Sequence, residues 1–365
     1  MDTNIINNKR DSNIELLRLI CMFLIVLGHF ICHGIINKSQ QYQFQDGWDS
    51  YFPQLLYGFA ICAVDTFVLI SGYYGIRPKA RSFFNLYLQC AFYAGILYLI
   101  HLYLSDSHIN RWCIYNTLFP FSNNPGWWFI PQYVILYTLS PILNKIVDNT
   151  NKRQLASFLI LMAIVVFYFG HYRQYTFSFA ESGFNFINFI FLYFIGRYLS
   201  QYVSSSGKRT RLIWGSGYII SALLIGLISW AHLRIIHSWN PIFLVQSYSH
   251  PLCVLEAVCL FMFATTFKLN SRLINWFGSS SLSIYLLHEC VYYRDKLYQF
   301  IANIYDEPHP YLYIYCILIV FAVATVVICP VIDKVRIIVT NPINNKLCQI
   351  WEKVKKETKE RLNFV

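Results

Sequence analysis

Ten residues separate Arg18 from His29, and His33 follows four further on. At 100° per residue in a helix, Glu15, Arg18, His29 and His33 fall within an arc of about 60°, so one stripe of an apolar run is ionisable. A guanidinium grips phosphate or carboxylate in a planar fork, and a neutral imidazole accepts a proton near neutral pH. The pair suits a reaction in which an anionic ligand is held at one end and a hydroxyl loses its proton at the other. Along the axis the two side chains stand about 16 Å apart, so a ligand touching both must be long and must enter the apolar interior. Taken singly, Arg18 could pair with Glu15 and the histidines could satisfy neighbouring helices, which explains each residue but not their common face.

Other polar residues interrupt later apolar runs. Asp65 stands before Phe67-Val-Leu-Ile-Ser71-Gly72-Tyr73, and a carboxylate at that depth requires a proton or a partner such as His29 or His288. Ser71-Gly72 offers either a small surface for helix packing or backbone access to a ligand. Arg77, Lys79 and Arg81 follow, a collar able to hold phosphates or simply to fix topology. Pro125-Gly126-Trp127-Trp128-Phe129, with Gln132 and Tyr133, presents flat rings beside polar groups; these fit the apolar face of a sugar as well as an interfacial belt. Glu256 and the run Tyr285-Leu-Leu-His288-Glu289 add further buried ionisable groups.

The elements that must position these residues are membrane helices. Of the 365 residues 56% are hydrophobic, 18% aromatic and only 13% charged, about half the charged fraction of a soluble chain. Apolar runs long enough to cross a hydrocarbon core recur near 14–36, 53–76, 83–104, 127–147, 153–170, 184–203, 212–232, 249–267, 279–301 and 310–332. Pro131 and Pro141 interrupt the fourth, and His288, Glu289, Arg294 and Asp295 the ninth. With the N-terminus in the cytoplasm, 23 of the 29 basic residues, Lys9 and Arg10 among them, fall on the inner side, which predicts both termini inside. The first run is expected to stay attached as a signal anchor. The +11 charge is thus topology, and no folded basic domain exists to bind nucleic acid. Eleven cysteines, an odd number set mostly in apolar runs, predict free thiols. We read residues 1–345 as one transmembrane domain and 346–365 as a basic tail, solvated or lying on anionic lipid as an amphipathic helix.

Four features together resemble the membrane acyltransferase-3 family, all-α enzymes of about ten helices that O-acylate bacterial surface sugars. They are Glu15-Leu-Leu-Arg18 with His29, Asp65 with Phe67 to Tyr73, Trp128-Phe129, and Tyr285-Leu-Leu-His288. Within the family the chain looks closest to the surface-polysaccharide O-acetyltransferases. The resemblance implies a multi-pass protein of a bacterial cell membrane. Its co-substrate would be acyl-coenzyme A, acetyl-coenzyme A in the first place, with a sugar or lipid-linked sugar as acceptor and no metal. On that reading Glu15, Arg18, Ser71, Gly72, Arg77, Lys79 and Arg81 bind the donor, and Trp127, Trp128, Gln132 and Tyr133 the acceptor. His29 is the base, Asp65 or Glu256 its carboxylate, and His288, Ser71 or an amide near Gly72 the oxyanion donor. Some members carry an esterase-like extracytoplasmic domain; none is legible here, so the helices are expected to hold the reaction or to hand it to another protein. The competing reading is a transporter or flippase for a lipid-linked sugar or small anion, although no internal repeat is visible.

Overall fold

Backbone polar groups in lipid must be satisfied within their own segment, and runs of this length do so as helices. A computed structural model describes residues 11–44, 50–105, 108–121, 126–172, 181–204, 206–236, 244–308, 310 and 312–362. Lys9, Arg10, Pro125 and residues 363–365, which entered the sequence reading, lie outside them. All regular structure among the described residues is helical.

In chain order the helices are α1 (Ser12–Ile36), α2 (Gln40–Phe44), α3 (Tyr51–Tyr74), α4 (Ala80–Ser105), α5 (Arg111–Leu118), α6 (Phe129–Asp148) and α7 (Lys152–Phe169). They continue with α8 (Phe186–Tyr202), α9 (Lys208–Ile235), α10 (Pro251–Thr265), α11 (Arg272–Gly278), α12 (Ser281–His288), α13 (Arg294–Asp306) and α14 (Tyr313–Leu362). Six of them, α1, α3, α4, α7, α9 and α14, are long and apolar enough to cross a membrane. Each of the ten apolar runs coincides with a helix, but the ninth is two, α12 and α13, broken at 289–293. The basic tail from Lys346 is helical to Leu362 and joins the last apolar run in one helix, α14, which passes through Pro330 and Pro342.

Helix α1 is the hub, packing on α3, α10, α11, α12 and α14. Leu17, Cys21, Val26, Ile31 and Ile35 are at most 1% exposed, so its polar stripe is kept from lipid by protein on most sides. Around it, helices approach at small residues. A Cβ on Gly72 of α3 would collide with the Tyr193 carbonyl of α8, and one on Gly196 would meet the Leu69 carbonyl at 2.6 Å. Such crossings bring backbones within contact in a medium where apolar burial gives helices no mutual attraction. The packing role of Ser71-Gly72 is therefore the one Gly72 takes.

Helix α14 carries a buried ion pair that the sequence reading did not single out, and hydrogen bonds from this pair tie α14 to α4. Arg336 donates from Nε and Nη2 to the two oxygens of Asp333, each at 2.9 Å. Gln89 and Tyr93 of α4 donate to Asp333 at 3.1 and 2.9 Å, while Arg336 reaches Asn85 and Thr340.

Candidate active site

A cavity of about 200 Å³ runs inside the bundle beside α1, and its wall includes both Arg18 and His29. Met22 and Ile25 line it between them, as successive turns of one helical face require. Arg18 accordingly faces the cavity while its Nη1 donates to Glu15 Oε1 at 2.7 Å; the helix-end salt bridge and the shared face coexist. Glu15 itself is buried against Gly278, where a Cβ would stand 2.5 Å from Oε2, so it backs Arg18 and does not line the cavity.

The break between α12 and α13 delivers the groups that surround His29. His288 closes α12, and Glu289 leaves the helix with its amide donating to Tyr285 O. Gly126, at φ +128°, lets the 126–128 segment lie on this break: a Cβ there would meet the Glu289 carbonyl at 2.8 Å. Tyr285 O–H donates to the Gly126 carbonyl at 3.0 Å, tying the two segments.

His29 Nδ1 lies 2.9 Å from Glu289 Oε1 and 3.0 Å from His288 Nε2. His288 Nδ1 is 2.6 Å from the Ile284 carbonyl, which can only accept, so Nδ1 carries the proton and a neutral His288 presents a lone pair at Nε2. His29 Nδ1–H therefore donates toward Glu289 and His288, so that in the neutral imidazole Nε2 is the nitrogen that carries the lone pair. Glu289 is fixed in turn: Arg294 donates to Oε2 at 3.1 Å, and Tyr298 O–H donates to Oε1. The His29 side chain is 16% exposed and Glu289 only 7%, so the imidazole is reachable and the carboxylate is behind it. His33 lies tilted against His29 and Tyr298, its ring centroid 5.3 and 5.2 Å from theirs.

The carboxylate beside His29 is thus Glu289, not Asp65 or Glu256. Asp65 is fully buried on α3 and accepts from Cys253 Sγ at 3.6 Å instead of meeting a histidine. Glu256 is fully buried on α10, with neither oxygen in a well-formed hydrogen bond. His288 has both nitrogens committed and Gly72 is pressed on Tyr193, so neither is placed as an oxyanion donor. Ser71 does line the cavity, with its hydroxyl donating to Phe67 O at 3.3 Å. The pairing was foreshadowed only by the position of Glu289, next to His288 in an interrupted apolar run.

The aromatic platform divides. Trp128 and Tyr133 line the cavity, Trp128 stacking on Tyr248 at 5.5 Å and Phe129 on Tyr133 at 5.6 Å. Trp127 points the other way, into a separate small cavity with Cys113 and Cys290, and Gln132 is half-buried outside both. Of the basic collar, Lys79 and Arg81 line a groove distinct from the His29 cavity, and Arg77 is exposed outside both.

His29, His288 and Glu289 offer ligand atoms within 4.8 Å of one another, a spacing that a small divalent cation could also bridge. The same atoms already satisfy one another as an imidazole pair with a carboxylate.

Chemically, a buried carboxylate holding the imidazole N–H, with the opposite nitrogen free, is the arrangement of a general base for hydroxyl attack. A family model described as an acyltransferase domain, acyltransferase-3, matches residues 11–331. No curated protein and no solved structure matches the chain.

Proposed function

Since the chain belongs to the acyltransferase-3 family and is a membrane acyltransferase, we propose that it moves an acyl group, acetyl in the first place, from acyl-coenzyme A to a hydroxyl of a cell-surface or lipid-linked sugar. The observation that carries this reading is one cavity lined by Arg18 and His29 together. Arg18 grips a phosphate or amide oxygen of the donor arm, and the arm extends along Met22 and Ile25 so that its thioester reaches His29. The acceptor enters against Trp128, Tyr248 and Tyr133, whose rings suit the C–H face of a pyranose.

His29 Nε2 takes the proton of the acceptor hydroxyl as its oxygen attacks the thioester carbonyl. Glu289, held by Arg294 and Tyr298, stabilises the imidazolium. Collapse of the tetrahedral intermediate breaks the carbon–sulfur bond, and the proton on Nε2 passes to the departing thiolate. The products are the ester and free coenzyme A, with His29 neutral again.

This reading places the chain in a bacterial cell membrane with ten crossings and both ends in the cytoplasm. Helices α6, α8 and α10 and the broken pair α12–α13 then complete the set with the six long apolar ones. The excess of basic residues on the inner side supports that orientation. The test is coenzyme A release by purified protein in vesicles. Release that requires a sugar acceptor and disappears in His29→Ala supports the proposal. Movement of the sugar across the vesicle without any acyl donor would instead establish a transporter.

A further inference from the structure

A second large concavity, a groove of about 780 Å³, lies between the start of α4, the middle of α6 and the far end of α14. Lys79, Arg81 and Lys355 line it together with Tyr137, Trp351 and Glu352. Its position follows from helix registers. Leu86 and Tyr133 line the His29 cavity, and Phe83 and Tyr137, one turn along α4 and α6, line the groove. Tyr137 O–H bonds the backbone of Lys79, so the two one-turn steps lead toward the same end of the bundle. That end is also where α1 begins, because Tyr74 O–H donates to Asp11 Oδ2 at 2.6 Å. The groove therefore lies at the end of the bundle where α1 begins, its wall at Phe83 and Tyr137 about 5 Å, one helical turn, from the cavity wall at Leu86 and Tyr133.

We propose that this groove holds the phosphorylated nucleotide head of the acyl donor, and that the extension of α14 supplies part of the site through Trp351 and Lys355. The inference rests on acyl-coenzyme A being the donor. Three cations converge without a full set of acids to neutralise them, which is what a ligand with several phosphates requires. Trp351 and Tyr137 offer flat faces for a purine. Glu352, the acid in the groove, accepts hydrogen bonds, which a ribose hydroxyl or an exocyclic amine donates and a bare phosphate does not. A nucleotide answers cations, rings and acid at once; an anionic phospholipid answers chiefly the cations. Cys348, Trp351, Glu352 and Lys355 all lie beyond residue 331, where the match to the acyltransferase domain ends, so this wall is a feature of the chain outside that domain.

The test compares acetyl-coenzyme A with acetyl-pantetheine, which keeps the thioester arm and lacks the head, using full-length protein in nanodiscs of zwitterionic lipid. Trp351→Ala and Lys355→Gln are each expected to lower the preference in kcat/KM for acetyl-coenzyme A over acetyl-pantetheine by about 10-fold, the value of one charge-assisted or stacking contact. Lys355→Arg should restore most of it. Equal losses with both donors, or no change in the ratio, would overturn the proposal. So would native mass spectrometry showing a phospholipid retained by wild type and lost in Lys355→Gln while the donor ratio stays constant. Wild-type protein inactive with either donor is a different failure, since it removes acyl-coenzyme A itself and the proposed function with it.

Discussion

Two ionic clusters are buried in this bundle, and they differ in what borders them. Around Asp333 and Arg336 every strong donor and acceptor meets a partner on α4 or α14, and the pair is 0% and 2% exposed. Around His29 the chain of contacts from Arg294 through Glu289 ends on an imidazole that borders an open cavity. One cluster is closed on itself, and the other is left with a lone pair to offer. Buried charge alone therefore does not mark chemistry in a membrane protein; an incomplete network facing a space does.

The contrast is sharpest in what each cluster loses on neutralisation. Glu289→Gln should lower acyl transfer by about 10³–10⁴-fold, the scale on which a base misoriented by loss of its carboxylate fails, while the thermal midpoint in detergent moves little. Equal activity in that variant would end the comparison. Asp333→Asn should do the reverse. It leaves Arg336 buried without its counter-charge, so unfolding free energy should fall by about 3–5 kcal/mol while kcat per folded molecule is retained. Replacing both by leucine should recover much of that stability. Tyr298→Phe removes one donor from Glu289 and should cost about 10-fold in kcat with KM unaltered. Trp128→Ala, on the cavity wall and stacked on Tyr248, should raise the acceptor KM by about 5- to 10-fold and leave kcat nearly intact. A drop in kcat alone would move Trp128 from acceptor binding to the chemistry.

Periodicity carried the sequence reading as far as a single helix goes. Arg18 and His29 share a face because 11 steps of 100° return close to the start, and the cavity bears both. Helices themselves were legible because apolar runs of twenty residues have little alternative. What periodicity cannot supply is which helix stands opposite. Glu289 is 260 positions from His29 and meets it only because α12 stops at His288, whereas Asp65 and Glu256 drew attention merely by lying deep in apolar runs. Trp127 and Trp128 show the same limit at the smallest scale: adjacent rings enter different cavities, a choice set by the turn at Gly126 and not by residue type. The Asp333–Arg336 pair was hidden by its setting near a basic tail, where charge reads as topology.

The winding of α1 changes immediately after His29, from an α-helix to a π-helix over Phe30–Ile36. A π segment accommodates an additional residue, so the surplus in this helix is stored past the imidazole, and the stretch from Arg18 to His29 stays uniformly wound. That stretch works as a ruler whose slack lies beyond its last mark. Insertion or deletion of one residue between the two marks would swing the imidazole by about 100° out of alignment, whereas a change in length after His29 can be absorbed without moving it. The reach from anion grip to proton acceptor is thereby written into covalent spacing, independent of how the C-terminal end of the helix is cut.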